Sequence, residues 1–100
     1  MKQVILSADG DQYLYSVPDP VAENLPRFCM EFLHWMQHTP EGKKKYWIGR
    51  GFMFTEADFI DWLNTSRFPE QRSELLKDLG EWDLREKIFA EHPDIPHYNF

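Results

Sequence analysis

One long apolar stripe between Pro20 and Pro40 sets the strongest limit on how this chain folds. Its apolar residues recur at spacings typical of one helical face: Val21, Leu25, Phe28, Cys29, Phe32, Trp35 and Met36. This periodicity predicts an amphipathic core helix. Asp19 is placed to cap its start and Pro20 to occupy its first position, while Pro26 predicts a kink or a short first turn. The rest of the chain must therefore cover this helix.

A β-hairpin is predicted ahead of the helix. Asp9-Gly10 is a strong turn signal, because glycine adopts positive φ at no steric cost. It separates two runs that alternate with the period of a strand, residues 4–7 and 13–17. Val4 and Leu6 share one face, and the matching set on the second run is Tyr13, Tyr15 and Val17. One face of the hairpin is expected to pack inward.

Behind the helix, residues 39–42 are expected to end it, and Lys43 to Lys45 to lead into a second hairpin over residues 46–54. Gly49 and Gly51 favour the hairpin, although a single bulged strand would use them equally well. Thr55 and Asp58 have the spacing of a capping box and predict a second helix that reaches residue 64.

The last third of the chain is predicted to be helical and then extended. Three leucines predict the buried stripe of a third helix that opens at Phe68-Pro69 and stops at Gly80: Leu75, Leu76 and Leu79. Residues 83–90 predict one more helical turn, with Leu84, Ile88 and Phe89 on one side. Pro93 and Pro96 then impose an extended tail over residues 91–100.

Taken together, these elements predict one compact α+β domain over residues 1–100. Their order is ββαββαα, with two small antiparallel hairpins forming a sheet against one long and two or three short helices. A chain of 100 residues has the usual size of a single domain. At that size it can bury a core without disulfides or a structural metal.

Composition excludes several classes of function. The formal net charge of −6 and the pI near 5.1 disfavour nucleic-acid binding, because affinity for phosphates comes from Lys and Arg. A lone Cys29 fits a reducing compartment. The first residues lack the apolar stretch of a secretory signal, and no run approaches the roughly 18 apolar residues that span a bilayer. We therefore expect a cytoplasmic protein without membrane contact.

Motifs for chemistry are weak. His34 and His38 have the i, i+4 spacing of helical zinc motifs, but neither a neighbouring Glu nor a third ligand follows. Residues 9–11 resemble the start of a calcium loop, and no closing Glu completes it. No serine or cysteine carries a nucleophile signature. The sequence thus predicts no catalytic residue, cofactor or metal, and a small metal protein or enzyme stays an alternative.

A second alternative is a single-stranded nucleic-acid binder. Residues 50–54 partly resemble the RNP1 strand of RNA-recognition domains, whose exposed aromatic residues stack on bases. Met53 stands where that motif has Gly or Ala, and the element order differs from βαββαβ. In this interpretation the stacking and backbone-contacting residues are Tyr46, Trp47, Phe52, Phe54, Lys43 to Lys45 and Arg50.

The favoured hypothesis is a small acidic, non-enzymatic protein-binding module, such as an inhibitor or an anti-defence protein of a mobile element. It follows from the absence of catalytic motifs, the acidity and the aromatic share of 16%. Met30 is predicted to project opposite the buried helical face and to be exposed. An exposed hairpin edge would also allow a homodimer. The predicted partner-binding residues are Met30, Trp47, Arg50, Trp82, Tyr98 and Phe100.

Three segments carry a resemblance to a known group: residues 5–19, residues 54–61 and Phe68-Pro69. In these segments the chain resembles short hypothetical proteins from gut Firmicutes. The resemblance implies a bacterial, intracellular setting. It implies no function and no site residues.

Overall fold

The computed structural model describes residues 1–8, 10–81 and 85–100, and of Arg85 only the backbone. Within these ranges the chain is α+β, as predicted. The strands are β1 Lys2–Ser7, β2 Asp11–Val17, β3 Trp47–Ile48, β4 Gly51–Phe52, β5 Glu74–Glu81 and β6 His97–Asn99. The helices are α1 Asp19–Glu23, α2 Leu25–His38, α3 Pro40–Tyr46, α4 Glu56–Trp62 and α5 Arg85–Glu91, and a π-helical turn, Leu63–Arg67, continues α4. No described helix is long and apolar enough to cross a membrane.

The main sheet has four strands in the order β5-β2-β1-β6. The predicted first hairpin is confirmed, since β1 and β2 pair antiparallel with Val4 opposite Tyr15 and Leu6 opposite Tyr13. The tail returns as β6, which pairs in parallel with β1. The second hairpin, β3–β4, is also confirmed, but it is a separate two-stranded sheet. The prediction that the two hairpins form one sheet was therefore wrong, as was the order ββαββαα.

The predicted third helix is a strand. Residues 74–81 form β5, which pairs antiparallel with β2 from Asp11 to Ser16. Leu75 is 55% exposed, so it does not belong to a buried stripe. The register shifts twice along this pair, at β-bulges that open beside Gln12 and Leu14. Bulges bend and twist an edge strand, and here they adapt a leucine-rich segment to the sheet edge.

The helical region begins and continues differently from the prediction in two places. Pro18, not Asp19, precedes the first helical residue, and Asp19 instead pairs with the amino terminus at 2.9 Å. The expected break is confirmed: α1 and α2 are separated at Asn24, just before Pro26. Residues 39–42 were expected to end the helix and Lys43 to Lys45 to lead into a strand beginning at Tyr46, yet Pro40–Tyr46 form α3. The Thr39 hydroxyl accepts a hydrogen bond from the Gly42 N–H at 3.1 Å, so Thr39-Pro40 starts a helix.

Both faces of the main sheet are covered. On one face lies the larger core, centred on Phe32, whose ring has six aromatic neighbours at centroid distances from 5.7 to 6.3 Å. On the other face Ile5 and Leu14 pack against Ile88 of α5. The tail closes over the first core, since the Phe100 N–H donates to the Ser7 carbonyl at 2.8 Å. The tail predicted to be extended over residues 91–100 forms a strand only at His97–Asn99, since Glu91 ends α5 and residues 93–95 form a turn and a bend.

Candidate binding surface

The small β3–β4 hairpin carries an unusual concentration of exposed apolar side chains. Trp47 is 50% exposed and Met53 is 66% exposed, and Ile48 between them is also exposed. Gly49 forms the turn with φ of 61°, as the first central position of a type II′ turn requires. The Met53 N–H donates to the Tyr46 carbonyl at 2.9 Å and closes the base of the hairpin. The hairpin therefore presents these side chains on a fixed backbone.

Trp47 and Phe52 form the centre of a groove between the hairpin and the helices before it. Their rings meet edge to face, with centroids 5.0 Å apart, in the pair where Trp47 lies opposite Phe52. The groove has a volume of about 580 Å³ and is lined by Gln37, His38, Lys43, Lys44, Trp47 and Phe52. We call this the hairpin groove. The sequence prediction included Trp47. It missed His38, because it placed the lysines outside any helix and so did not foresee a groove between the end of α2 and the hairpin.

Positive charge is concentrated beside the groove although the chain is acidic overall. Lys43, Lys44 and Arg50 are exposed, and the segment between Glu41 and Glu56 contains no acidic residue. Among the described residues, none of these three cations makes an ion pair. Lys45 is different, because its Nζ lies 5.3 Å from the centre of the Tyr46 ring and a hydrogen bond to Tyr46 raises the pKa of Lys45. The groove thus has an apolar floor and cations that are free to meet acidic groups.

Only part of the predicted stacking set reaches this surface. Tyr46 is buried, and Phe54 packs edge to face on Phe32 and Phe100 at 5.9 and 5.8 Å. The predicted role of Tyr46 and Phe54 in stacking on bases is therefore corrected, because both side chains belong to the core. Trp47 and Phe52 are the two members of that set that line the groove. A platform for several consecutive bases is therefore not built here from those four residues.

Five of the six predicted partner-binding residues are described, and their contacts divide them into two groups. Trp47 and Arg50 lie on the hairpin. Met30 is exposed, as predicted, and its sulfur lies 3.9 Å from the hydroxyl of Tyr98. The Tyr98 ring in turn meets Phe100 edge to face, with centroids 4.9 Å apart, and Phe100 is half-buried against the core. Trp82 and Leu84 lie outside the described residues.

His34 and His38 stack on each other with ring centroids 4.3 Å apart on the exposed side of α2. The described residues contain no group of three or more His, Cys, Asp or Glu side chains placed to hold a metal ion. His38 instead lines the hairpin groove, while His34 faces a shallow groove beside Trp35 and Arg67. The pair therefore contributes to surface chemistry at the end of α2.

Cys29 is the only thiol of the chain, and it is fully buried in the larger core. Burial raises the pKa of the Cys29 thiol far above its ordinary value, which disfavours the reactive thiolate. We expect a charged disulfide reagent to label Cys29 at least about a hundredfold more slowly in the native chain than in urea. Labelling followed by absorbance checks this. Equal rates in both conditions would show that the thiol is accessible.

No family model, curated protein or solved structure matches this chain. The resemblance to short proteins of gut Firmicutes stays a prediction. The hairpin groove and its charges are therefore the features from which a function is inferred.

Proposed function

We propose that this chain is a non-enzymatic protein-binding module that docks a partner on the hairpin groove. The observation that supports this is the half-exposed Trp47, which forms the groove with Phe52 beside Lys43 and Lys44, two cations that make no ion pair with any described residue. Exposed aromatic and methionine side chains within a polar rim are typical of protein interfaces. Free lysines around them favour a partner with acidic groups at its rim. The buried thiol of Cys29 is in keeping with the cytoplasmic setting that we propose.

Single-stranded nucleic acid is the weaker candidate for this surface. Stacking requires an open aromatic face for each base. Trp47 offers one, whereas Phe52 is partly covered by Trp47 and the remaining exposed side chains, Ile48 and Met53, are aliphatic. The net charge of −6 would also oppose a phosphate backbone that extends beyond the groove. A protein with an apolar pocket and an acidic rim meets all of these features.

Substitution of Trp47 tests the proposal. We expect Trp47→Ala to weaken binding of the partner by about thirtyfold or more, the effect typical of a central interface tryptophan. Lys43→Glu with Lys44→Glu should mainly slow association at about 0.15 M salt. The matched controls are Leu76→Ala and Lys77→Glu, which replace an exposed apolar residue and an exposed cation on β5.

The experiment passes bacterial lysate over each immobilised variant and measures the affinity of any purified partner by calorimetry. A partner retained by wild type and both controls but lost by Trp47→Ala supports the proposal. A partner whose affinity is the same for Trp47→Ala and wild type would place the interface elsewhere. Binding to labelled oligonucleotides that weakens steeply with salt would instead establish the nucleic-acid alternative.

A further inference from the structure

The face of the main sheet that lies under α5 changes from apolar to polar along its length. Side chains directly opposite one another on neighbouring strands form rows across a sheet. The pairing of β2, β1 and β6 aligns two such rows. The apolar row ends in a histidine and consists of Leu14, Ile5 and His97; the polar row is Gln12, Ser7 and Asn99.

Helix α5 covers the first row more closely than the second. Ile88 is buried against Ile5 and Leu14, while the Phe89 ring stacks on His97 with centroids 4.0 Å apart. A cavity of about 180 Å³ remains between the helix and the polar row. It is lined by Ile5, Ser7, Gln12, Phe89, His97, Tyr98 and Asn99. We call it the Gln12–His97 cavity.

Three side-chain nitrogens of residues that line this cavity have no hydrogen-bond partner in the part of the chain that the structure describes. Gln12 is 2% exposed, and its side-chain amide nitrogen makes no hydrogen bond to any described residue. Neither ring nitrogen of His97 makes one either. By contrast, the Ser7 hydroxyl donates to the Asn99 side-chain oxygen at 2.9 Å, so that pair is satisfied. Buried donors and acceptors are nearly always paired in native proteins, which makes three unpaired atoms around one small cavity a sign of an external partner.

The protonation state of His97 defines what that partner must offer. Burial lowers the pKa of His97, and the His92 carbonyl opposes this shift in part without reaching standard hydrogen-bond geometry. The imidazole is therefore neutral at physiological pH and presents one N–H and one lone pair. The Gln12 amide nitrogen adds donors. The His97 N–H lies towards the His92 carbonyl, so a ligand must supply an acceptor for Gln12 and a donor for the His97 lone pair.

The charge and the size of the cavity further narrow the chemical class of the ligand. None of the described residues that line the cavity carries a formal charge. Its volume corresponds to about six water molecules at ~30 Å³ each, less than a drug-sized ligand occupies. Both Ile5, which is buried, and Phe89, which is 43% exposed, line the cavity and favour a flat apolar body. These limits together describe a small aromatic amide.

We propose that the Gln12–His97 cavity binds a small, uncharged, planar amide whose carbonyl accepts from Gln12 and whose N–H donates to His97. This site is independent of the hairpin groove. It would give the module a small-molecule ligand beside its protein partner.

Three probes that share a benzene ring separate hydrogen bonding from simple filling of space. Benzamide has the carbonyl and the N–H, acetophenone keeps the carbonyl alone, and toluene has neither. Titration followed by two-dimensional NMR should show saturable binding of benzamide, with shifts at Gln12 and His97. Acetophenone should bind about tenfold more weakly, since one hydrogen bond is lost, and toluene more weakly still. Equal binding of toluene and benzamide, or no saturable binding, would show a cavity that holds solvent and would overturn the proposal.

Variants of the chain provide a second test. Gln12→Leu removes the unpaired donor at similar volume, so we expect benzamide affinity to fall about tenfold while the melting temperature is maintained or raised. Gln3→Leu on β1, at an exposed position, is the matched control and should leave benzamide binding unchanged. A Gln12→Leu protein that melts earlier and still binds benzamide normally would show that the amide is structural. Should that variant not fold, His97→Phe replaces the second unpaired group, and unchanged benzamide binding by it would equally contradict the site.

Discussion

Replacing Phe32 with alanine should remove a large part of the stability of this fold. The ring is fully buried and touches aromatic side chains from α2, α3, α4 and the tail. Truncating a buried phenylalanine typically costs about 3–5 kcal/mol, because the neighbours collapse only partly into the cavity. Domains of this size have roughly 5–15 kcal/mol in total. We therefore expect the melting temperature to fall by about 15 °C or more.

Urea unfolding monitored by circular dichroism measures this loss. Met30→Ala is the matched control, since Met30 lies two residues earlier on the same helix and is exposed, so it should change the free energy of unfolding by less than about 0.5 kcal/mol. A loss below about 1 kcal/mol for Phe32→Ala would mean that the aromatic cluster does not hold the helices and the tail together.

The same helix shows why part of the fold was predictable from sequence. The apolar spacing of the helix, Pro26, and Asp9-Gly10 before the second strand are local signals. Each predicts the backbone geometry of the few residues around it. Helix α2, the break before it and the β1–β2 hairpin were accordingly predicted correctly, although Asp9 itself lies outside the described residues. The capping box of Thr55 and Asp58 succeeded for the same reason, and the Thr55 N–H donates to the Asp58 carboxylate at 2.9 Å.

Strand β5 shows where local signals fail. Glu, Leu and Lys favour helices, and Leu75, Leu76 and Leu79 have helical spacing. Hydrogen bonds to β2 outweigh this preference, and two bulges absorb the mismatch in register. Leu75 and Leu76 are left exposed as a result. Nothing within the segment itself signals that a distant strand will be its partner.

Both candidate sites are built from residues that are far apart in the sequence. The Ser7–Asn99 contact joins residues 92 positions apart, and the parallel pairing of β1 with β6 has no local signature. The sequence prediction therefore missed the polar row beside His97. At the hairpin groove it identified Trp47 as a contact residue, yet it placed Lys43 and Lys44 on a connecting segment. The Thr39-Pro40 pair is equally compatible with the end of one helix and the start of the next.

The position of α3 decides whether the lysines and Trp47 share a groove, and Gly42 sets that position. A Cβ added at Gly42 would lie 2.6 Å from the Cα of Met36 and 2.7 Å from the carbonyl oxygens of Trp35 and Met36. These are backbone atoms of the last turn of α2, so no side-chain rotation can relieve the contact. Glycine is therefore required here by close approach of two helices.

Gly42→Ala should consequently destabilise the chain, although the same change inside a helix ordinarily stabilises it by about 1 kcal/mol. We expect a loss of about 2 kcal/mol or more from overpacking, together with weaker partner binding because α3 shifts away from Trp47. Gly51→Ala is the control: a Cβ there meets no atom within 4 Å, and stability should change by less than about 0.5 kcal/mol. Urea unfolding of both variants distinguishes the cases. A Gly42→Ala protein as stable as wild type would mean that α3 can move without loss, and the hairpin groove would then not be a fixed surface.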